Sequence, residues 1–262
     1  MSDNKEQKFF GVNDSLWGHK WGFKDSQFVI NDDGSVTFTG NRYKGVSGEN
    51  LPYLVPFVEK ILDIEIKTKP YFNEVEKKHV ADRSVNRHFM DELESNFNSD
   101  QYTFEDGDRI LHSHGQNGPD EVFKVLYNKL EKFTDLVFYI ESEQDVISLI
   151  DLAKKHDVCL VPFGGGTNVT NALKLPNEED RMIVSVDTRR MNKIESLDKE
   201  NLMVTVQAGI TGKILEENLQ KEGYTVGHEP DSIELSTLGG WISTNAAGMK
   251  KNRYGNIEDI VQ

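Results

Sequence analysis

Seven residues, Pro162-Phe163-Gly164-Gly165-Gly166-Thr167-Asn168, follow the apolar run Val158-Cys159-Leu160-Val161 and carry the types that hold a phosphate. Glycine loses more backbone freedom on folding than any other residue, so three in succession mark a sharp turn or a close approach to something. In such a loop successive amides point into one concavity, an anion nest, and Thr167, Asn168 and Thr170 add side-chain donors. A tight turn with glycines used only for packing is the competing explanation. A G-x-G-x-x-G dinucleotide fingerprint fits poorly. Gly164 and Gly166 match, but Val169 stands at the third glycine and Pro176 leaves little room for the long helix that should follow. A P-loop is excluded, because no Gly-Lys-Ser/Thr closes the loop.

A second stretch gathers small residues, hydroxyls and glycine pairs: Asp231-Ser232-Ile233-Glu234-Leu235-Ser236-Thr237, then Gly239-Gly240, then Thr244-Asn245-Ala246-Ala247-Gly248. Leu238, Trp241 and Ile242 fit a short helix with Ser236 and Thr237 at its start, where hydroxyls bind phosphate or cap the helix. Small residues beyond it let backbone lie against a flat ring system. A buried small-residue helix followed by a turn is the alternative. Lys250, Lys251 and Arg253 form a basic cluster beside this stretch, serving either to attract a phosphate or simply as a solvated face. His112-Ser113-His114 lacks the third and fourth ligands that a metal would need, so no metal is expected.

These residues need elements to position them. Asp135–Ile140 is expected to be a strand. Ser142-Glu143-Gln144-Asp145 then resembles a capping box opening a helix, with Val146, Ile147, Leu149, Ile150 and Ala153 toward one side. With a strand at Val158–Val161, a β-α-β unit delivers the chain to the glycines. Met182–Val186 and Leu202–Gln207 read as further strands, and Thr211–Glu222 as a helix closed by Gly223. Upstream, Asn31-Asp32-Asp33-Gly34 between two β-rich runs marks a hairpin. Tyr53–Ile64 has the apolar spacing of an amphipathic helix. Asp82–Gly118 reads as a polar surface arm or connector, and Asp120 as the N-cap of a helix carrying Val122, Phe123, Val125, Leu126 and Leu130. Asn256–Gln262 reads as a turn passing into a strand.

The chain has 262 residues, room for one large or two modest domains. Its 30 Lys and Arg against 44 Asp and Glu give a net charge of -14, which argues against a nucleic-acid partner and requires that any anionic ligand be attracted locally. One cysteine, Cys159, excludes a disulfide framework and a thiolate metal cluster. Met1–Lys8 lack the apolar core of a secretory signal. No run of 18 apolar residues is long enough to span a bilayer, so any lipid contact is expected to be peripheral.

Taken together, Pro162–Asn168 and Gly227-His228-Glu229-Pro230-Asp231-Ser232-Ile233-Glu234-Leu235-Ser236-Thr237 resemble the two FAD-binding segments of the vanillyl-alcohol-oxidase type flavoproteins. Gly239-Gly240-Trp241 and Gly248-Met249-Lys250-Lys251-Asn252-Arg253-Tyr254-Gly255-Asn256-Ile257-Glu258-Asp259 narrow the likeness to the alkyldihydroxyacetonephosphate synthase family. The likeness runs from Asp135 to Val261, and Phe38-Thr39-Gly40-Asn41-Arg42-Tyr43, Ser47-Gly48 and Leu51-Pro52 are similar too.

The resemblance implies an α+β fold: a PCMH-type FAD-binding domain of two α/β subdomains over residues 130–262, preceded over 1–129 by a hairpin, helices and a connector. It implies noncovalent FAD, since Thr167 stands where some relatives carry a tethering histidine. The implied cofactor contacts are Pro162, Phe163, Gly164, Gly165, Gly166, Thr167 and Asn168; Asp231, Ser232, Ile233, Glu234, Leu235, Ser236 and Thr237; and Thr244, Asn245, Ala246 and Ala247. Asn168 replaces a common serine, while Asn245 and Ala247 vary from relatives, so backbone contacts are expected at the last two. His228 is either a proton-transfer or substrate-orienting group or a structural histidine in a turn. The implied reaction replaces the acyl group of acyl-dihydroxyacetone phosphate with a long-chain fatty alcohol, without net redox change. A homodimer in the peroxisome is implied with it. The flavin domain is expected to be cut within its second half, with the cap domain and the main catalytic residues lying beyond Gln262, so that this chain alone is not expected to turn over.

Overall fold

A computed structural model describes residues 16–18, 20–40, 42–43, 45–66 and 80–262. The expectations at Met1–Lys8 and Asn41 lie outside the described residues. The chain divides into two compact units, Met1–His79 and Val80–Gln262.

In the first unit β1 (Ser26–Ile30), β2 (Val36–Gly40) and β3 (Asn50–Leu51) form an antiparallel sheet in that order. Gly34, at φ +82°, closes the β1–β2 turn at the expected Asp-Gly, where the Asn31 amide donates to the Ser35 carbonyl at 2.8 Å. Helix α1 (Leu54–Leu62) follows, and none of its residues is buried; the pattern that predicted a covered face leaves Phe57, Ile61 and Leu62 exposed.

The second unit starts well before residue 130. Helix α2 (Arg87–Asn96) places Phe89, Met90 and Leu93 in the main core, against Leu136, Phe138, Leu149, Leu152 and Val184. A 3₁₀ turn at Ser99–Gln101, strand β4 (Tyr102–Thr103) and helix α3 (Asp106–Leu111) follow it. The stretch expected to be a surface arm is therefore structured, exposed over much of 82–100 and buried over most of 109–118. Its polar residues are buried because the sheet supplies their partners. Arg109 donates through Nε to the Thr134 carbonyl at 2.9 Å and through Nη2 to the Ala81 carbonyl at 3.0 Å, and Ser113 Oγ accepts from the Thr134 amide at 2.8 Å. Sequence composition shows polarity but not these partners.

Helix α4 (Pro119–Leu126) is capped at Gly118 with Pro119 in its first turn, so Asp120 lies inside the helix rather than at its N-cap. Strand β5 (Leu136–Tyr139), helix α5 (Glu143–His156) and strand β6 (Cys159–Phe163) form the expected β-α-β unit. Ser142 Oγ accepts from the Asp145 amide at 3.1 Å to start α5, and left-handed Asp157 ends it. β5 and β6 are not neighbours. Strand β7 (Ile183–Asp187) enters between them, parallel to both, giving the sheet order β4-β5-β7-β6 with β4 antiparallel at one edge. All five residues of β7 are buried, as a central parallel strand covered on both faces requires.

A second, smaller layer follows. The antiparallel pair β8 (Ile194–Asp198) and β9 (Met203–Val206) carries Ile194, Leu197, Val204 and Val206 onto helix α6 (Gly212–Lys221), whose Leu215 and Leu219 are buried. β8 went unread in the sequence because Glu195 and Ser196 interrupt its apolar pattern, and a bulge between Ile194 and Ser196 shifts its register. Helix α7 (Leu238–Ser243) and the single turns α8 (Lys251–Tyr254) and α9 (Ile257–Ile260) complete the unit. α9 replaces the strand expected there. At its N-terminus the Asn256 amide donates to Asp259 Oδ2 at 2.9 Å, and Ile257 is buried. Among the described residues no helix is long and apolar enough to cross a membrane.

Leu93→Ala should cost about 2–5 kcal/mol of stability, the usual range for a buried leucine truncated in a packed core, against less than about 0.5 kcal/mol on a surface arm. Denaturant unfolding of the two proteins measures the difference.

Candidate functional site

The glycine loop and the second small-residue segment, some seventy residues apart in sequence, are pressed together. A Cβ on Gly165 would stand 2.0 Å from the Leu235 carbonyl oxygen, and one on Gly164 would stand 2.4 Å from Thr237 Oγ1. No side chain fits either position. Gly166 turns the chain at φ +67°, a conformation that favours glycine. Strand β6 brings Phe163 to the end of the sheet beside Asp187, and the Thr188 amide donates to the Phe163 carbonyl at 3.0 Å, so the loop departs from a fixed point.

The opposite wall is equally fixed. Thr211 and Thr237 form an antiparallel bridge, the Gly212 amide donates to the Ser236 carbonyl at 3.0 Å, and the Lys213 amide donates to the Ile233 carbonyl at 2.9 Å. Thr237 caps α7, accepting from the Gly240 amide at 3.2 Å. Trp241 Nε1 donates to Ser236 Oγ at 2.8 Å. Asp231–Thr237 is therefore a rigid rim on α6 and α7.

Among the described residues, no protein group accepts a hydrogen bond from the amides of Gly164, Gly165, Gly166, Thr167 or Asn168. Buried backbone amides are nearly always paired, so a row of donors kept free at a rim is a feature of anion sites. The carbonyls on the other side of the loop are taken: the Gln116 amide donates to Gly166 O at 2.6 Å and Asn117 Nδ2 donates to Thr167 O at 3.1 Å. Asn168 Oδ1 accepts from the Ala172 amide at 2.9 Å, so this side chain shapes the loop exit. Neither Gln116 nor Asn117 was singled out from sequence. Their role depends on main-chain carbonyls turned outward, for which residue type gives no signal.

His228 is 2 % exposed, and neither ring nitrogen has a hydrogen-bond partner among the described residues. Its ring packs on Trp241 at 4.7 Å, and a Cβ on Gly248 would come within 3.2 Å of Nδ1. Loss of solvent pushes its pKa down, with the Glu258 carboxylate opposing weakly, so the ring is held neutral. A buried histidine with two idle nitrogens departs from the rule that buried polar groups are satisfied.

Thr244–Ala247 stands at the far end of α7, about 9 Å of helix from Thr237 at 1.5 Å per residue. Thr244, Asn245 and Ala247 are exposed, and Thr244 Oγ1 donates to the Gly240 carbonyl at 2.8 Å. It is not packed onto the glycine loop as Leu235–Thr237 is. In the basic cluster Lys250 pairs with Glu229, whereas Lys251 and Arg253 are exposed, the Arg253 guanidinium lying over the Tyr254 ring. The two histidines of His112-Ser113-His114 serve different partners: His112 Nε2 meets Asp187, and His114 Nδ1 donates to the Gly115 carbonyl at 2.7 Å.

Residues 134–262 match the FAD binding domain family. The close approach of its loops and its row of free amides fit the diphosphate of FAD. Across 241 residues the chain is 42 % identical to an alkyldihydroxyacetonephosphate synthase of Caenorhabditis elegans, covering 92 % of this chain and 40 % of that protein. A Dictyostelium discoideum enzyme of the same name is 36 % identical over 222 residues, covering 82 % and 36 % respectively. A solved structure of an alkyldihydroxyacetonephosphate synthase superposes with a TM-score of 0.84 at 32 % identity, over 99 % of this chain and 46 % of that one. The chain thus spans two fifths or less of the length of these curated relatives, and the α+β fold of the FAD-binding type is that of the family.

Two outcomes follow from this geometry. Gly165→Ala should weaken FAD binding at least about tenfold, read by quenching of flavin fluorescence, because the new methyl meets a backbone carbonyl that cannot move aside. For His228 the folded state binds fewer protons than the unfolded state between its depressed pKa and about 6.5. Its contribution to stability is therefore complete above that range and is lost on acidification. Denaturant midpoints at pH 7.5 and 5.5 should converge in His228→Phe relative to the parent.

Proposed function

We propose that this protein works as an alkyldihydroxyacetonephosphate synthase, exchanging the acyl group of acyl-dihydroxyacetone phosphate for a long-chain fatty alcohol with FAD bound noncovalently. The observation that carries the reading is the neutral, buried and unpartnered His228 immediately ahead of the packed second FAD segment. The likeness to synthases over most of the chain supports it. When bound, FAD supplies an electron-accepting ring system that makes exchange at the substrate carbon feasible without net oxidation.

The chain's own residues have separable tasks. The amides of Gly164–Asn168 hold the diphosphate, and the Asp231–Thr237 rim keeps them aimed. Thr244–Ala247, exposed at the end of α7, offers small residues and backbone to the rest of the cofactor. Thr167 provides no imidazole for a covalent tether. His228 at Nδ1 or Nε2 holds or moves the proton exchanged at the reacting carbon; a ring kept neutral can accept it at physiological pH. Lys251 and Arg253, free of carboxylate partners in the described contacts, draw the substrate phosphate toward a chain of net charge -14. A peroxisomal homodimer is part of the same proposal, supported by the likeness to the family alone. Peripheral membrane contact suits a substrate and an alcohol with long acyl and alkyl chains.

The test supplies the full-length protein that contains this chain with FAD, acyl-dihydroxyacetone phosphate and labelled long-chain alcohol. The label should enter an ether product, with one fatty acid released per ether formed and no dye reduced. Dye reduction driven by a 2-hydroxy acid, with no alcohol exchange, would replace this reading with a dehydrogenase. His228→Phe should lower turnover by roughly 10²–10⁴-fold, the usual worth of a general acid or base, while FAD affinity stays within a few-fold.

A further inference from the structure

The outer side of the glycine loop is held by a short turn that the FAD contacts do not include. Gly115, Gln116, Asn117 and Gly118 lead from α3 into α4, and Glu121, in the first turn of α4, folds its side chain back onto them. Glu121 is 5 % exposed. Its Oε1 accepts from the Gly115 amide at 2.7 Å. Its Oε2 has no hydrogen-bond partner among the described residues and fills the space where a side chain on either glycine would begin: a Cβ would stand 2.4 Å from it on Gly115 and 2.7 Å from it on Gly118. A carboxyl group is taken out of water here for one hydrogen bond, a costly way to hold a turn that did nothing else.

The turn grips the loop by its carbonyls. The Gln116 amide donates to Gly166 O and Asn117 Nδ2 donates to Thr167 O, while a Cβ on Gly115 would lie 3.3 Å from Asn168 O. Each gripped carbonyl shares a planar peptide with the next amide, Gly166 O with the Thr167 N–H and Thr167 O with the Asn168 N–H. In a trans peptide the two groups point in opposite directions. Pinning the oxygens toward the turn therefore aims the Thr167 and Asn168 amides away from it, and neither amide has a protein acceptor among the described residues.

We propose that Glu121 is a positioning residue for diphosphate binding: by fixing the Gly115 amide it sets the 115–118 turn, and the turn, through Gln116 and Asn117, aims the Thr167 and Asn168 amides at the anion. This rests on FAD being the ligand of the loop. Peptide planes beside glycine turn easily, and a nest holds an anion only while its N–H groups converge. A brace on the carbonyl side fixes the planes and keeps its own acidic group off the ligand side.

The full-length protein that contains this chain, freed of flavin, is titrated with FAD. Glu121→Met fills the space without an acceptor and should weaken FAD about tenfold, the scale of one lost hydrogen bond, whereas Glu121→Gln keeps the acceptor and should stay within about threefold of the parent. Gly118 lies at φ -72°, which alanine adopts freely, so Gly118→Ala meets only the Asp120 and Glu121 side chains. It should weaken FAD about fivefold in the parent and less than about twofold once Glu121 is alanine, because the displaced group is gone. Asn117→Ala removes an exposed side chain and should weaken FAD about threefold to fivefold. Parental affinity in Glu121→Met or Asn117→Ala would overturn the proposal, as would Glu121→Gln as weak as Glu121→Met or equal costs of Gly118→Ala in both backgrounds. Thermal melts without FAD show which variants are folded at the titration temperature; if those at Glu121 are not, Asn117→Ala decides. A parent that does not bind FAD removes the cofactor reading and this inference with it, while a parent that binds and variants that match it remove the role of Glu121 alone.

Discussion

The arrangement turns on one close contact, the backbone of Gly165 against the carbonyl of Leu235. Two loops can meet at that distance only if neither carries a side chain at the point of contact and if both leave from rigid supports. The first support is the end of the parallel sheet, where Phe163 and Asp187 lie opposite each other on β6 and β7. The second is the junction of α6 and α7, locked by the Thr211–Thr237 bridge and the Trp241–Ser236 hydrogen bond. The two core clusters, one around β5, β7 and α5 and the other around β8, β9 and α6, hold those supports in place. Between them they keep five amides free of internal acceptors, which no isolated loop would do, because a flexible backbone turns to satisfy itself or water.

The polar interior follows from the same constraint. The end of the segment, 109–118, packs behind the outer side of the glycine loop, so its buried side chains meet carbonyls and sheet-edge groups rather than water. Arg109, Ser113 and Thr134 are each buried and each bonded to main chain, and Asp135 accepts from the amides of Ile183 and Ser84, both at 2.7 Å. Burial raises the Asp135 carboxyl despite those bonds, as does burial of Glu121, whose Oε1 accepts from the Gly115 amide. The region behind the loop is thus a dense hydrogen-bonded layer rather than an apolar one, and it fixes direction better than apolar packing would.

Much of this was legible in the sequence. The hairpin turn, the Ser142 cap, the Gly223 stop and the short helix at Leu238 were all signalled by local rules, and local rules act within a few residues. The glycine loop and its partner were legible because glycines and hydroxyls cluster where backbone must be approached. The insertion of β7 between β5 and β6 was not, since strand order depends on which edge each apolar run finds. Residues 82–118 were misread for a physical reason as well: composition reports how much a segment prefers water, and a buried polar segment overrides that preference with partners distant in sequence. Gln116 with Gly166, Arg109 with Thr134 and His112 with Asp187 are all such pairs. The five-residue span of β8, broken by a bulge, fell below any periodicity test.

On the proposed reading of the site, electrostatics separates holding the cofactor from acting on a substrate. The diphosphate side of the loop is served by the oriented amides of Gly164–Asn168 and by a rim in which Ser236 and Thr237 are buried while Asp231 is exposed. The reacting side is served by a histidine kept neutral and unpaired, because a charged or hydrogen-bonded ring would already have committed its proton. Both demands cannot be met by one environment: strong fixed charge near His228 would shift its proton equilibrium, and an uncharged surround near Gly164–Asn168 would leave the diphosphate without attraction. The two sit on different supports, the glycine loop at the end of β6 and His228 packed against Trp241 of α7.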